Sequence, residues 1–351
     1  MQRGGARGRE KIGVTAPRQI EADSTFFVTV RAISRSYRFV PEKKVRESID
    51  YALKATAEKF EGKIALHEYQ FLSNHYHLLG TDLAGVLPEF MREFNATMSR
   101  QLNALRGIRG SNVEKDYNLC VVDMKTGRKA LQHAVYILCN AVEAHLVERS
   151  FQWLGPNSYS LEYGQEEVVE RPKCGLWSDE ASHAERSGSR RSKRARYARL
   201  IKMPERVTFK LVRPKIYEHL SDAQLRAMVR REVKKREDKL IEQRKRQRRR
   251  VVGWKQALRK KYWSVPTNKE EFFTRRPRFS AETKARRLVL IERYQEFLEA
   301  YYAARDELVQ AFKDAQLRGI KPDIKGIVFP VGTWLVRRLY DVTCGRCPAP
   351  A

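Results

Sequence analysis

No run of about 18 apolar residues occurs in the chain, so no segment suits a helix that spans a bilayer. The polar start MQRGGARGREKIG has no apolar stretch behind it of the kind a secretory leader needs. Cysteine is scarce. The five, at 120, 139, 174, 344 and 347, are odd in number and scattered, which excludes a disulfide framework and suits a reducing compartment. Cys344 and Cys347 form a CxxC pair near the C-terminus, but no second pair of ligands lies close enough to complete a zinc site. Negative charge is also in deficit: 42 Asp and Glu stand against 70 Lys and Arg, for a net charge of +28. Such a surface attracts a polyanion, and nucleic acid is the first to consider. The composition therefore describes a cytoplasmic protein with no membrane partner.

What is present is enough to fold. At 351 residues and 42% hydrophobic content the chain can bury a sizeable core. Residues 1–150 hold 23 basic and 17 acidic side chains, leaving 47 against 25 for the rest, so the second half carries most of the positive field. Residues 1–22 lack periodicity and read as a disordered basic tail. STFFVTVRAIS alternates, with Phe26, Val28 and Val30 on one face and Thr29 and Arg31 on the other, as a half-buried strand does. Val45, Ile49, Leu53 and Ala57 then recur at helical spacing. KIALHEYQFL and NHYHLLGTD read as two strands joined by a tight turn at Ser73-Asn74, a connection that favours antiparallel pairing. A helix with Phe90, Phe94, Met98 and Leu102 on one stripe, the short strand YNLCVVD and a helix from about 129 to 149 complete the series.

Strand, helix, strand, strand, helix, strand is the split βαβ order of a ferredoxin-like α+β sandwich with an antiparallel sheet, assigned to residues 23–160. Residues 161–206 shift to charged and small side chains, including ERSGSRRSKRAR, and read as a linker or loop. Residues 207–351 read as a basic, mainly helical DNA-binding region. Its run RKRQRRR is either a solvated helix face or a phosphate-binding strip. Trp254, Tyr262 and Trp263 either stack bases or anchor the helix to its neighbour. KGIVFPVGTWLVRR reads as a strand, a Pro-Gly turn and a short helix.

Two clusters carry chemistry. In His75-Tyr76-His77 the imidazoles are two apart, so on a strand both project from one face and can hold one ion, while Tyr76 points into the core. Two ordinary histidines are the bland alternative. Two imidazoles leave a divalent ion coordinatively open, and HAVYILCNAVEAHLVER offers a further ligand. There His133, Tyr136 and Asn140 share one helical face. Asn140 can give its amide oxygen to a metal and Tyr136 its phenolic oxygen to a phosphorus, although a helical tyrosine more often packs.

FLSNHYHLLG resembles the two-histidine signature of the HUH endonucleases, and specifically of the REP-associated tyrosine transposases and their insertion-sequence relatives. VYILCNAVEAHLVER is similar to that family's tyrosine helix, and the resemblance spans about residues 24–160. It implies a bacterial, nucleoid-associated enzyme in which His75, His77 and Asn140 hold Mg²⁺ or Mn²⁺ and Tyr136 is the nucleophile. The reaction it implies is cleavage and strand transfer of single-stranded or hairpin DNA through a 5′-phosphotyrosine. Ser73 and Ala141 stand where the family has proline, positions that bear on backbone geometry. The chief rival is a domesticated, non-cleaving DNA-binding protein of the same fold. A cupin oxygenase is excluded by Gly80 and Thr81 in the place of its glutamate. A replication initiator or relaxase fits less well, because the chemistry is concentrated in the first 160 residues. Monomer and homodimer are both compatible with the sequence.

Overall fold

The computed structural model describes residues 17–177, 203–267, 278–324 and 326–333. The chain divides into two compact units, one of residues 22–287 and one made of residues 1–21 with 288–351. The first unit is built on β1 (Ser24–Arg31), α1 (Lys43–Lys59), β2 (Ile64–Phe71), β3 (His75–Asp82), α2 (Leu87–Arg106), β4 (Asn118–Val122) and α3 (Arg128–Glu143). The strands lie in the order β2-β3-β1-β4 with antiparallel neighbours, as the split βαβ reading requires. One pairing was not expected. A two-residue strand, Phe279–Ser280, joins β4 in parallel and makes the sheet mixed.

One face of the sheet is the main core. Phe26, Val28, Tyr69, Phe71, Tyr76 and Leu78 pack there with Ile49 and Leu53 of α1 and Phe90, Phe94 and Met98 of α2. Burial of these side chains stabilises the sandwich by about 1.5–3 kcal/mol each. Gly80 has a steric reason to be glycine: a Cβ there would lie 2.5 Å from the Phe26 ring and 2.6 Å from the Ala65 carbonyl oxygen. The two carboxylate oxygens of Asp82 accept the Val86 and Leu87 N–H groups, satisfying donors at the start of α2. The opposite face is covered by α3, whose Ala134 and Ile137 pack on Phe27, Leu79 and Cys120.

Several stretches pack more closely than their composition predicts. Within 161–206, Glu167–Glu170 is a strand (β5) paired antiparallel with Arg206–Phe209 (β6). Trp177 is buried against Tyr51 of α1 at a ring distance of 4.9 Å. Residues 161–177 and 203–206 are thus part of the fold, because one large aromatic and a short hairpin hold them where no periodicity announces it. ERSGSRRSKRAR lies outside the described residues. The basic helix is likewise integral. Helix α4 (Asp222–Arg246) packs on α3 and buries Leu225, Val229, Val233 and Ile241 along one stripe. Its N-terminus has a capping box, Ser221 with Gln224. Of RKRQRRR, Arg244 is buried and reaches Glu148 at 3.1 Å, while residues 245–250 are exposed.

A short helix, α5 (Trp254–Leu258), precedes α6 (Lys284–Arg318). In the second unit, Tyr294, Phe297, Ala304 and Ala315 are the buried face of α6. Residues 17–20, read as tail, are ordered there: Gln19 bridges Thr333 and Tyr294 donates to the Pro17 carbonyl at 2.7 Å. Residues 327–333 form a turn at Gly332 with that one bridge and no longer strand. The remainder of the tail (1–16), the end of KGIVFPVGTWLVRR and the CxxC pair lie outside the described residues. Among the described residues no helix is long and apolar enough to cross a membrane.

Candidate functional site

The antiparallel register of β1 and β3 sets Thr29 opposite His77 and Arg31 opposite His75. Both imidazoles therefore face α3, while Tyr76 turns into the main core and donates to Asn95 Oδ1 at 2.5 Å. Helix α3 runs over this face with Tyr136 and Asn140 one turn apart on the side nearest the histidines. Apolar neighbours fix its placement: Ile137, Leu138 and Ala141 are fully buried. His75, His77, His133, Tyr136 and Asn140 then line one cleft of about 600 Å³, together with Phe27, Thr29 and Ser280. All four residues singled out as metal ligands or nucleophile are brought together, although 65 positions separate His75 from Asn140.

The hydrogen bonds show which lone pairs are left over. His77 Nδ1 lies 2.9 Å from Thr29 Oγ1, which can accept its proton. Its Nε2 is buried with no hydrogen-bond partner. An imidazole that donates through Nδ1 presents Nε2 as a bare lone pair, the tautomer used for metal ligation. His75 Nδ1 lies 2.8 Å from Asn74 Oδ1, an acceptor for a proton on that nitrogen. His75 Nε2 lies 3.2 Å from Asn140 Oδ1, and a neutral imidazole can donate to only one of these two oxygens. A cation relieves such an arrangement. The rings of His75 and His77 are 5.0 Å apart, and His77 and Tyr136 are 5.5 Å apart edge to face.

Electrostatics favour the neutral imidazoles that a metal requires. Burial pushes His77 well below its usual range, and His75 and His133 add to the effect. His133 is lowered to about 4 by burial and by nearby Lys129. Among the described residues no three His, Cys, Asp or Glu side chains converge, so a further protein ligand beside the two histidines would be of another type, such as an amide oxygen. Asn140 supplies it. Two nitrogens and one amide oxygen form a softer set than Mg²⁺ prefers and suit Mn²⁺ better.

Other members of the cleft had no role assigned from the sequence. His133, given no role there, bonds Ser280 Oγ at 2.9 Å and stacks on Phe27 at 4.6 Å. Arg236 of α4 lies over the Tyr136 ring at 5.7 Å and pairs with Glu143 at 2.8 Å. The guanidinium, paired with Glu143, thus sits against the ring of the phenol. Nothing local marks it among the many basic residues of α4. Arg31, Arg35 and Lys129 also line the cleft, against one carboxylate, Glu143.

No family model matches the sequence, and no curated protein matches it. Among solved structures the chain is similar to a REP-associated tyrosine transposase bound to a REP hairpin. The likeness has 15% identity and a TM-score of 0.34, covering 41% of this chain and 82% of that one. At that extent the functional reading rests on the geometry of the cleft.

Proposed function

We propose that this protein is a metal-dependent enzyme that cleaves and rejoins single-stranded DNA, including hairpin or repeat DNA, as a single-tyrosine transposase does. The observation that carries the reading is the unpartnered Nε2 of His77, a residue that lines a basic cleft together with His75, Asn140 and Tyr136. His75, His77 and Asn140 would hold the ion, Mn²⁺ ahead of Mg²⁺. When bound, it supplies Lewis-acid polarisation of the scissile phosphate and neutralises charge in the transition state.

The chain's own residues account for the rest. Tyr136 Oη loses its proton to solvent and attacks phosphorus, with the Arg236 guanidinium against its ring. The new bond is Oη–P. The bond broken is P–O3′, whose oxygen leaves as a 3′-hydroxyl after taking up a proton. Attack of a second 3′-hydroxyl on the phosphotyrosine reverses these changes and joins strands without nucleotide hydrolysis. Arg31, Arg35 and Lys129 offer positive charge to the flanking phosphates.

The test is incubation with single-stranded DNA from the flanks of the gene plus Mn²⁺, followed by denaturing electrophoresis. A covalent protein–DNA adduct is expected, and in Tyr136→Phe it should fall by on the order of 10³-fold or more. An adduct that persists in Tyr136→Phe removes the nucleophile. No adduct, with single-strand binding intact, favours the non-cleaving DNA-binding protein.

A further inference from the structure

The two readings left open for the aromatic residues after α4 separate cleanly in the structure. Tyr262 is an anchor: the guanidinium groups of Arg106 and Arg38 lie over its ring at 4.6 and 5.4 Å, and Arg106 also donates to the Arg38 carbonyl at 2.7 Å. Trp263 is not. Its ring stands perpendicular to Tyr262 at 4.8 Å and is 59% exposed. The backbone beneath it is fixed, because Ser264 bonds back to the Lys261 carbonyl through both N–H and hydroxyl, at 2.9 and 2.8 Å.

We infer that Trp263, with Lys260, Lys261 and Arg38 around it, is a stacking platform for an unpaired base of the DNA strand that enters the cleft. The inference rests on the single-stranded substrate proposed above. Three observations carry it. First, the surroundings are cationic and available: among the described residues Arg38, Arg106, Lys260 and Lys261 form no ion pair. Lys261 Nζ lies 5.5 Å from the Trp263 ring and Lys260 Nζ 5.9 Å from the Tyr37 ring. A basic groove interleaved with aromatic faces is what a single strand needs, since phosphates take the charges and bases take the rings.

Second, the platform adjoins the cleft. The Tyr37 N–H donates to the Ser264 carbonyl at 3.0 Å, and Arg35, two residues earlier, lines the cleft. Two residues of chain span at most about 7 Å, so a few nucleotides bridge from the cleft rim to Trp263. Third, the platform is preorganised. The loop before α1 is tied to the β2–β3 turn through Ala32 N–H to the Asn74 carbonyl and Phe39 N–H to the Ser73 carbonyl, both at 2.8 Å. The turn that positions His75 is thus tied to the segment that carries Trp263, and little conformational freedom remains to be lost on binding.

The test uses the full-length chain carrying Tyr136→Phe, so that binding is read without cleavage, and fluorescence anisotropy with a labelled single strand and the matching blunt duplex. Adding Trp263→Ala should weaken single-strand binding about tenfold while Trp263→Phe keeps most of it, because any aromatic face stacks a base. Duplex binding should stay unchanged, as should single-strand binding in Trp254→Ala, a second exposed tryptophan outside the platform. Trp263→Ala binding the single strand as tightly as its parent overturns the platform. So does an equal loss for duplex, which marks a general surface effect, or no single-strand binding by the parent. The proposed chemistry is judged separately, by the adduct formed when Tyr136 is intact: platform effects without an adduct sink the cleavage reading alone.

Discussion

The same face of the sheet carries two polar clusters that differ in how completely they are satisfied. Around Glu68, every oxygen has a donor: Tyr163 and Arg226 reach Oε1 at 2.6 Å each, and Ser158 reaches Oε2. Arg226 also bonds the carbonyls of Ser158 and Tyr159, leaving only its Nε without a partner. Both charged residues are almost entirely buried. Around His77 the opposite holds. Nε2 has no partner and His75 Nε2 meets an acceptor, though the site is buried enough to hold both rings in place. Buried polar groups cost stability unless paired, so the Glu68 cluster, with every carboxylate oxygen donated to, reads as architecture, and the open nitrogen of His77, in a basic cleft, as a place for a ligand.

The sharpest way to break that contrast is to exchange the roles. Arg226→Ala strands the Glu68 carboxylate in the core, and should cost about 3–5 kcal/mol of unfolding free energy while leaving adduct formation per folded molecule intact. His75→Ala should do the reverse, abolishing the adduct and the Mn²⁺-dependent rise in Tm with little change in the stability of the metal-free chain. Urea titrations with and without Mn²⁺ read both. Equal destabilisation by the two variants would erase the distinction.

A second contrast is in pH. His67 is the extra residue of a β-bulge, for the β2–β3 register slips between Leu66 and Glu68. Its ring is buried between the Val212 carbonyl, 2.6 Å away, and Thr81 Oγ1 at 2.9 Å. Burial lowers it to about 4, against the small opposing effect of the Val212 bond. The folded pKa is below the unfolded one, so the unfolded chain binds the proton first as pH falls. The contribution of neutral His67 is full above about pH 6.5, is lost between there and about pH 4, and amounts to about 3 kcal/mol. The difference in stability between wild type and His67→Gln should therefore change across that window. Parallel pH profiles would show that His67 is not held neutral.

The site was more legible than the scaffold behind it. His75, His77, Tyr136 and Asn140 sit in long elements with strong periodicity, and both clusters obey local spacing rules, period two on β3 and one turn on α3. The Glu68–Arg226 pair spans 158 positions, and α4 reads as a charged helix because its stripe of Leu225, Val229, Val233 and Ile241 is diluted by basic residues. Trp177 and the two-residue strand Phe279–Ser280 have no periodicity to read. The β2 bulge reverses the alternation in mid-strand, turning Glu68 and Gln70 toward α3 and Tyr69 and Phe71 into the main core, which a uniform period of two cannot anticipate.

The finest test asks whether the incomplete cluster is tuned for a ligand or merely left open. Thr29 is buried, and among the described residues its hydroxyl bonds His77 Nδ1, the ring nitrogen opposite the unpartnered Nε2. In a structural cluster, Thr29→Val removes one hydrogen bond and costs about 1 kcal/mol of stability. In a metal site that contact fixes the tautomer and the aim of Nε2, so the same nearly isosteric change should weaken Mn²⁺ binding on the order of 10–100-fold. Thr29→Ser keeps the oxygen and should restore most of the affinity. Titration of free Mn²⁺ by electron paramagnetic resonance separates the two cases without any DNA. Unchanged Mn²⁺ affinity in Thr29→Val would mean that His77 is oriented by packing against Phe27, 5.3 Å away and stacked on it, rather than by the hydroxyl behind it.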